Sequence, residues 1–65
     1  MAAMIRKERK RRGWTQEYVA AQIGLTKKAV HLIETRQRNP SYDVLCKLEK
    51  LFEMRHNELF RSVED

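Results

Sequence analysis

Two lysines, Lys27 and Lys28, stand side by side directly after Thr26, where a short helix is expected to begin. A lysine ammonium can donate hydrogen bonds to the O6 and N7 atoms of guanine, or it can remain a solvated surface charge. Cations in the first turn of a helix are mildly unfavourable, because the helix dipole is positive at that end. An anionic partner would offset this cost, so the pattern favours contact with a polyanion.

His31 and Leu32 are expected to share the outer face of this helix, since Val30 and Ile33 fall inward at a spacing of three. The imidazole of His31 can donate to a base or a phosphate, or it can simply be exposed to solvent. Leu32 can pack against the methyl group of thymine. The residues predicted to contact bases are therefore Lys27, Lys28, His31 and Leu32.

Five short helices are predicted to position these side chains, so the fold class is expected to be all-α. Thr15, Thr26 and Ser41 are residue types that cap helix amino termini, and each precedes a segment with helical apolar spacing. Gly13 and Gly24 are typical residues just past a helix end. The fifth helix is predicted over the sequence HNELFRSV near the carboxyl end.

The second and third predicted helices are separated only by Gly24, Leu25 and Thr26. Two short helices joined by such a turn are typical of a helix-turn-helix. In that unit the amino-terminal end of the second helix enters the major groove of DNA. Residues 26–35 are therefore predicted to form a recognition helix.

Phosphate contacts are predicted where free backbone N–H groups or cations flank this unit. Gln16 begins the second helix beside its cap, Thr15, and Arg38 and Asn39 lie in the polar loop after the third helix. Such contacts position a protein on DNA without recognising sequence. The predicted set comprises Thr15, Gln16, Thr26, Arg12, Arg38 and Asn39.

The composition allows one small domain over residues 1–65, with residues 62–65 expected to be frayed. Residues 1–38 contain ten Lys and Arg against three acidic residues, whereas residues 39–65 contain four against six. This asymmetry indicates that one face meets a polyanion. With a single cysteine, Cys46, and no apolar signal or spanning segment, a cytoplasmic location is expected.

Catalytic and metal-binding functions find no support in the residue pattern. There is no Ser/His/Asp set, no glycine-rich phosphate loop and no paired carboxylates on a scaffold that would form a cleft. His31, Cys46 and His56 lack the spacing of metal ligands. We expect no enzyme activity, no cofactor and no small-molecule ligand.

The segments IRKERKRRGWTQEYVAAQIGLTKKAVHLIE and NPSYDVLCKLEKLF…ELF together resemble the XRE family of lambdoid Cro/C1-type helix-turn-helix regulators. The resemblance covers about residues 4–60. It implies a five-helix, lambda-repressor-like domain that forms a homodimer and binds a palindromic operator. It also implies a structural ion pair between Arg9 and Glu34, and a bracing role for Gln16 beside its phosphate contact.

Four residues depart from the family pattern: Glu8, Arg36, Glu49 and Arg55. The family usually has a core leucine at the first of these positions, a glycine helix stop at the second, a small alanine at the third and a capping Ser or Thr at the fourth. Our hypothesis is that Arg36 adopts a strained left-handed cap and gains a phosphate contact beside Arg38.

The expected function is that of a sequence-specific regulator of transcription, most simply a repressor, that binds double-stranded DNA as a homodimer. An antitoxin-like or other protein-interaction module that also binds DNA is the alternative. Apolar residues at helical spacing in the fourth helix, Tyr42, Leu45, Leu48 and Phe52, are predicted to form core or a dimer surface. The predicted dimer contacts are Phe52, Met54 and Phe60.

Overall fold

The computed structural model describes residues 2–63, and within them the chain forms five helices and a pair of two-residue strands. The fold class and the helix-turn-helix predicted from the sequence are confirmed. The elements, in chain order, are β1 (Ala2–Ala3), α1 (Met4–Arg11), α2 (Gln16–Ile23), α3 (Lys27–Glu34), α4 (Tyr42–Phe52), α5 (His56–Leu59) and β2 (Ser62–Val63).

The strand pair is the part of the fold that the sequence did not predict. β1 and β2 pair antiparallel, with Ala2 opposite Val63 and Ala3 opposite Ser62. Ala3 is fully buried, so its methyl group fixes one end of the pair in the core. The expectation of fraying was therefore wrong for Ser62 and Val63, and Glu64 and Asp65 lie outside the described residues.

Three of the helices begin at the capping residues that the sequence indicated. The hydroxyl oxygens of Thr15, Thr26 and Ser41 accept hydrogen bonds from the backbone N–H three residues further on, at 3.0, 3.1 and 3.3 Å. Gly24 ends α2 with a φ of 72°, a left-handed conformation that glycine adopts at little cost. These caps and this turn set α2 and α3 at the angle of a helix-turn-helix.

The core joins the inner faces of α2, α3 and α4 to α1 and α5. The predicted inward residues of α2 and α3 are all buried: Val19, Ala20, Ile23, Ala29, Val30 and Ile33. α4 contributes Leu48 and Phe52, α1 contributes Ile5, and α5 contributes Leu59.

One residue of the α4 stripe corrects the sequence-based predictions. Phe52 is only 1% exposed and packs inside the core, so it cannot contact a second copy of the chain. Its ring meets Trp14 edge to face, with ring centroids 5.3 Å apart. Tyr42, in contrast, is 79% exposed, because it opens α4 at an end that the other helices leave uncovered.

α5 begins without a cap from its own sequence, since Arg55 at that position makes no side-chain cap hydrogen bond. The carboxylate of Glu49, on α4, replaces it by accepting from the backbone N–H of His56 at 2.7 Å. The same oxygen lies 3.1 Å from the His56 ring Nδ1. Two departures from the family pattern, Glu49 and Arg55, therefore compensate for each other.

This cap predicts a specific dependence of stability on pH. The His56 backbone N–H, and then its ring, lower the pKa of Glu49 below the usual value of 4.5. A lowered pKa in the folded state means that the stabilisation is present above the unfolded pKa and is lost as pH falls through the folded one. Glu49→Ala is expected to lower unfolding free energy at pH 7 and to matter progressively less below pH 4.5.

Urea unfolding between pH 3 and pH 7 measures this difference, with Glu58→Ala as a control that removes a carboxylate from α5 itself. The control variant keeps the hydrogen bond between Glu49 and His56, so its effect is expected to vary less with pH. A Glu49→Ala effect that stayed constant from pH 7 to pH 3 would contradict the capping role.

Candidate nucleic-acid interface

The first turn of α3 presents the predicted base-contacting residues on one outer surface. Lys27, Lys28 and His31 are exposed, and Leu32 is half-buried at the edge of the same face. Val30 and Ile33 hold the opposite face in the core. The helix therefore presents three polar side chains capable of donating hydrogen bonds, followed by one apolar side chain, to whatever approaches the helix-turn-helix.

A buried hydrogen-bond network fixes the carboxyl end of α3. Arg9 Nε donates to Glu34 Oε2 at 2.6 Å, and a terminal guanidinium nitrogen reaches Oε1 at 3.3 Å. Its other terminal nitrogen donates to the carbonyl of Trp14 at 2.8 Å. Gln16 Nε2 donates to Glu34 Oε1 at 3.1 Å. The expected pair of Arg9 with Glu34 is confirmed, and it ties α1, the start of α2 and α3 together.

Arg12 has a different role from the predicted phosphate contact. Its guanidinium forms an ion pair with Glu8 and donates to the carbonyl of Phe52 at 2.9 Å. It also lies 5.6 Å and 5.2 Å from the ring centroids of Trp14 and Phe52. With only 22% of its side chain exposed, Arg12 braces α1 against the end of α4.

The same contacts explain why a charged residue, Glu8, can occupy its position in α1. Where the family pattern has a core leucine, this carboxylate receives hydrogen bonds from Arg11 and Arg12. Those two hydrogen bonds, Arg11 first, lower the pKa of Glu8. The aliphatic and planar parts of Arg12 then cover the Trp14 and Phe52 rings, as an apolar side chain would.

The loop after α3 confirms the conformational part of the Arg36 hypothesis. Arg36 has a φ of 63°, so a non-glycine residue occupies the left-handed position. The backbone N–H groups of Gln37 and Arg38 donate to the Leu32 carbonyl at 2.9 and 3.2 Å and close the end of the helix. Arg36, Arg38 and Asn39 are all exposed. Three polar side chains, two of them cationic, therefore follow α3.

Arg36→Gly is expected to raise unfolding free energy by about 1 kcal/mol, since glycine relieves the left-handed strain. It is also expected to weaken DNA binding and to reduce the salt dependence of affinity by about one phosphate contact. Urea unfolding and fluorescence anisotropy measure the two effects. Glu53→Gly is the matched control, because Glu53 ends α4 with a φ of 54°. Higher stability of Arg36→Gly with unchanged DNA affinity would contradict the phosphate role.

The starts of α2 and α3 contain the remaining predicted phosphate-contacting residues. Thr15 and Thr26 are exposed, and each uses its hydroxyl oxygen to cap its helix. Gln16 is half-buried and braces Glu34 as expected. Backbone N–H groups in a first helical turn lack intrahelical partners and can bind a phosphate. The structure brings two such turns to the same side as the α3 lysines.

Glu17 is a neighbour of this surface that the sequence did not single out. Its Oε2, in the first turn of α2, lies 3.6 Å from the Nζ of Lys27, the first residue of α3. From the sequence alone, an acidic residue in the first turn of α2 is explained by its favourable interaction with the helix dipole. Only the packing of α2 on α3 brings that carboxylate to a recognition lysine.

Among residues 2–63, no three His, Cys, Asp or Glu side chains cluster as metal ligands do. No helix in this part of the chain has the length and apolar character needed to cross a membrane.

The fold and this surface define a helix-turn-helix domain of the DNA-binding class. The family model HTH_3, described as Helix-turn-helix, matches residues 5–59. The chain belongs to this family, in its XRE or Cro/C1 type, and is a DNA-binding regulator of transcription. No curated protein sequence matches the chain.

Several solved structures share the fold. The P22 c2 repressor protein, in complex with synthetic operator 9T, is 23% identical, with a TM-score of 0.81 over 88% of this chain and 86% of that one. The restriction-modification controller protein C.AhdI from Aeromonas hydrophila is 34% identical, with a TM-score of 0.74 over 86% and 85%. The hypothetical transcription factor NHTF from Neisseria is 27% identical, with a TM-score of 0.72 over 85% and 62%.

Proposed function

We propose that the protein is a repressor that binds a palindromic operator as a homodimer, with α3 of each copy in the major groove. The observation that carries the proposal is the exposed first turn of α3 with Lys27 and Lys28, on a helix whose carboxyl end is held by the buried pair of Arg9 and Glu34. A rigid support matters because a bidentate base contact requires the side chain to be placed accurately.

Direct base contacts are assigned to the outer face of α3. Lys27 and Lys28 donate to guanine O6 and N7, His31 donates to a base or phosphate acceptor, and Leu32 packs on a thymine methyl. The three polar side chains are exposed, and Leu32, the last of the four along the helix, is half-buried. Each good bidentate contact discriminates against the wrong base by about 1–3 kcal/mol.

Phosphate contacts are assigned to residues on either side of the groove-facing helix. The starts of α2 and α3 supply Thr15, Gln16 and Thr26 with their free backbone N–H groups. The loop after α3 supplies Arg36, Arg38 and Asn39, all of them exposed. Arg12 is omitted, since its guanidinium is held by Glu8 and Phe52.

A homodimer is proposed because one α3 presents few recognition side chains, and two-fold symmetric regulators of this class recognise two half-sites about one helical turn apart. The P22 c2 repressor, which has the same fold, is bound to an operator in its structure. C.AhdI, at 34% identity, is a controller protein. A cytoplasmic location follows from a function on bacterial or phage DNA.

Because Phe52 is buried, the dimer surface is proposed instead at a groove between the α3–α4 loop and α5. The groove holds about 440 Å³, and its apolar lining includes Pro40, Leu45 and Phe60. Asn57 on α5 supplies a polar edge, and the groove is also lined by Arg36, Arg38 and Asn39, so the proposed dimer surface adjoins the proposed phosphate contacts. Met54 lies outside this groove, in a separate depression that Glu58 also lines. We retain it as a contact at the margin of the proposed dimer surface.

Selection from a random duplex library at about 100 mM salt tests this function, followed by sedimentation of the chain with the selected duplex. A palindromic consensus with two chains per duplex is the expected result. Binding without a consensus, accompanied by a steep dependence on salt, would contradict specific recognition. A consensus bound by one chain per duplex would contradict the homodimer.

A further inference from the structure

Glu17 and Lys27 bring opposite charges together between the first turn of α2 and the first turn of α3. Their Oε2 and Nζ atoms are 3.6 Å apart, and 65% and 61% of the two side chains are exposed. An ion pair this exposed contributes little to stability, so the fold alone does not require it. Its position is what distinguishes it, since Lys27 is the first residue of α3.

The separation leaves the hydrogen-bonding groups of both side chains available. A carboxylate offers only acceptors and an ammonium offers only donors. At 3.6 Å the two groups attract each other without forming a close hydrogen bond. The pair therefore presents a donor and an acceptor side by side to a molecule that approaches α3.

A G·C base pair has the complementary arrangement in its major-groove edge. Guanine presents the acceptors N7 and O6, and cytosine presents the donor N4. O6 and N4 are about 3 Å apart, because they are hydrogen-bonded to each other. This separation is close to the 3.6 Å between the charged atoms of Lys27 and Glu17.

We propose that Glu17 and Lys27 together recognise one G·C base pair in each half-site. Lys27 donates to guanine O6 and N7, while Glu17 accepts from cytosine N4. The inference rests on the proposed function, since it requires α3 to lie in the major groove. Glu17 thereby becomes a specificity-determining residue supplied by α2.

The ammonium and the carboxylate together explain why this arrangement favours G·C over other pairs. A negative charge in the groove is repelled by phosphates on every sequence, and a donor such as cytosine N4 offsets that repulsion. A pair with thymine facing Lys27 and adenine facing Glu17 keeps an acceptor, O4, beside a donor, N6, but it offers the ammonium one acceptor, whereas guanine offers both O6 and N7. The Glu17 carboxylate therefore lowers the affinity of the protein for DNA in general. A G·C base pair, which satisfies both Lys27 and Glu17, restores it.

Library selection with the wild type and Glu17→Ala tests the inference, with Glu58→Ala as the matched control. Both acidic residues lie in the first turn of a helix, but Glu58 belongs to α5, outside the helix-turn-helix. Glu17→Ala is expected to lose about tenfold of the preference for G·C over the reversed pair C·G, which places guanine O6 opposite the carboxylate, at one position per half-site. The control variant is expected to keep the wild-type preference throughout.

A double variant, Glu17→Ala with Lys27→Ala, separates cooperation from independent effects. The loss of preference at that position is expected to be smaller than the product of the two single losses, since both side chains contact the same base pair. A wild-type consensus with unchanged G·C preference in Glu17→Ala would overturn the inference. So would tighter binding of Glu17→Ala to all sequences by one common factor. Absence of a consensus for the wild type itself would instead overturn the proposed function.

Discussion

An Arg9→Ala variant is expected to lose about 3–5 kcal/mol of unfolding free energy, because the substitution leaves the Glu34 carboxylate charged and buried without its partner. Glu34 is only 1% exposed. Domains are stable by about 5–15 kcal/mol, and one this small belongs near the lower limit. The variant should therefore be largely unfolded at 37 °C, as circular dichroism and urea titration would show.

Arg11→Ala is the matched control, since Arg11 lies on the same helix and forms an ion pair with Glu8 while 66% exposed. Exposed pairs contribute far less than buried ones, so this variant should stay close to the wild type. A second variant, Arg9→Met with Glu34→Leu, removes both charges and should recover most of the lost stability. Equal losses for Arg9→Ala and Arg11→Ala would contradict the structural role of the buried pair.

Replacing both recognition lysines is expected to have the largest effect on DNA binding. The variant Lys27→Ala with Lys28→Ala should lose about 100-fold in affinity for a selected operator, since each lysine contact contributes about 1–3 kcal/mol. Both side chains are exposed, so the fold should be unaffected. Fluorescence anisotropy with operator and with random-sequence duplex at one salt concentration measures the loss.

Charge removal elsewhere provides the control for this experiment. Lys47 and Lys50 are also exposed but lie on α4. Replacing both with alanine should lower affinity for the two duplexes by similar, smaller factors, as a general electrostatic contribution does. If the α3 and α4 double variants lost the same affinity on both duplexes, base recognition by the α3 lysines would be contradicted.

The sequence predicted the helices and the outer face of α3 because both depend on local rules. Caps at Thr15, Thr26 and Ser41 act on N–H groups three residues away, and the inward spacing of Val30 and Ile33 determines which side faces out. The Arg9–Glu34 pair came from family resemblance, since its partners are 25 residues apart.

What the sequence missed depends on contacts between elements. Helical spacing placed Tyr42 and Phe52 on one stripe, but the neighbouring elements bury only Phe52. The sequence suggested that Arg12 contacts a phosphate because it is a cation next to the helix-turn-helix. In the structure its guanidinium instead donates to the carbonyl of Phe52 at the end of α4. The cap of α5 by Glu49 and the approach of Glu17 to Lys27 likewise join separate helices.

The central claim is that the first turn of α3 recognises guanines from the major groove. The most direct test replaces the conserved guanines of a selected operator with 7-deazaguanine, which lacks the N7 acceptor, and measures affinity for the wild type and for Lys27→Ala with Lys28→Ala. The wild type is expected to lose affinity on the modified duplex, whereas the double variant, which lacks the lysine donors, is expected to bind the modified and unmodified duplexes with equal affinity. Unchanged wild-type affinity on the modified duplex would contradict the central claim.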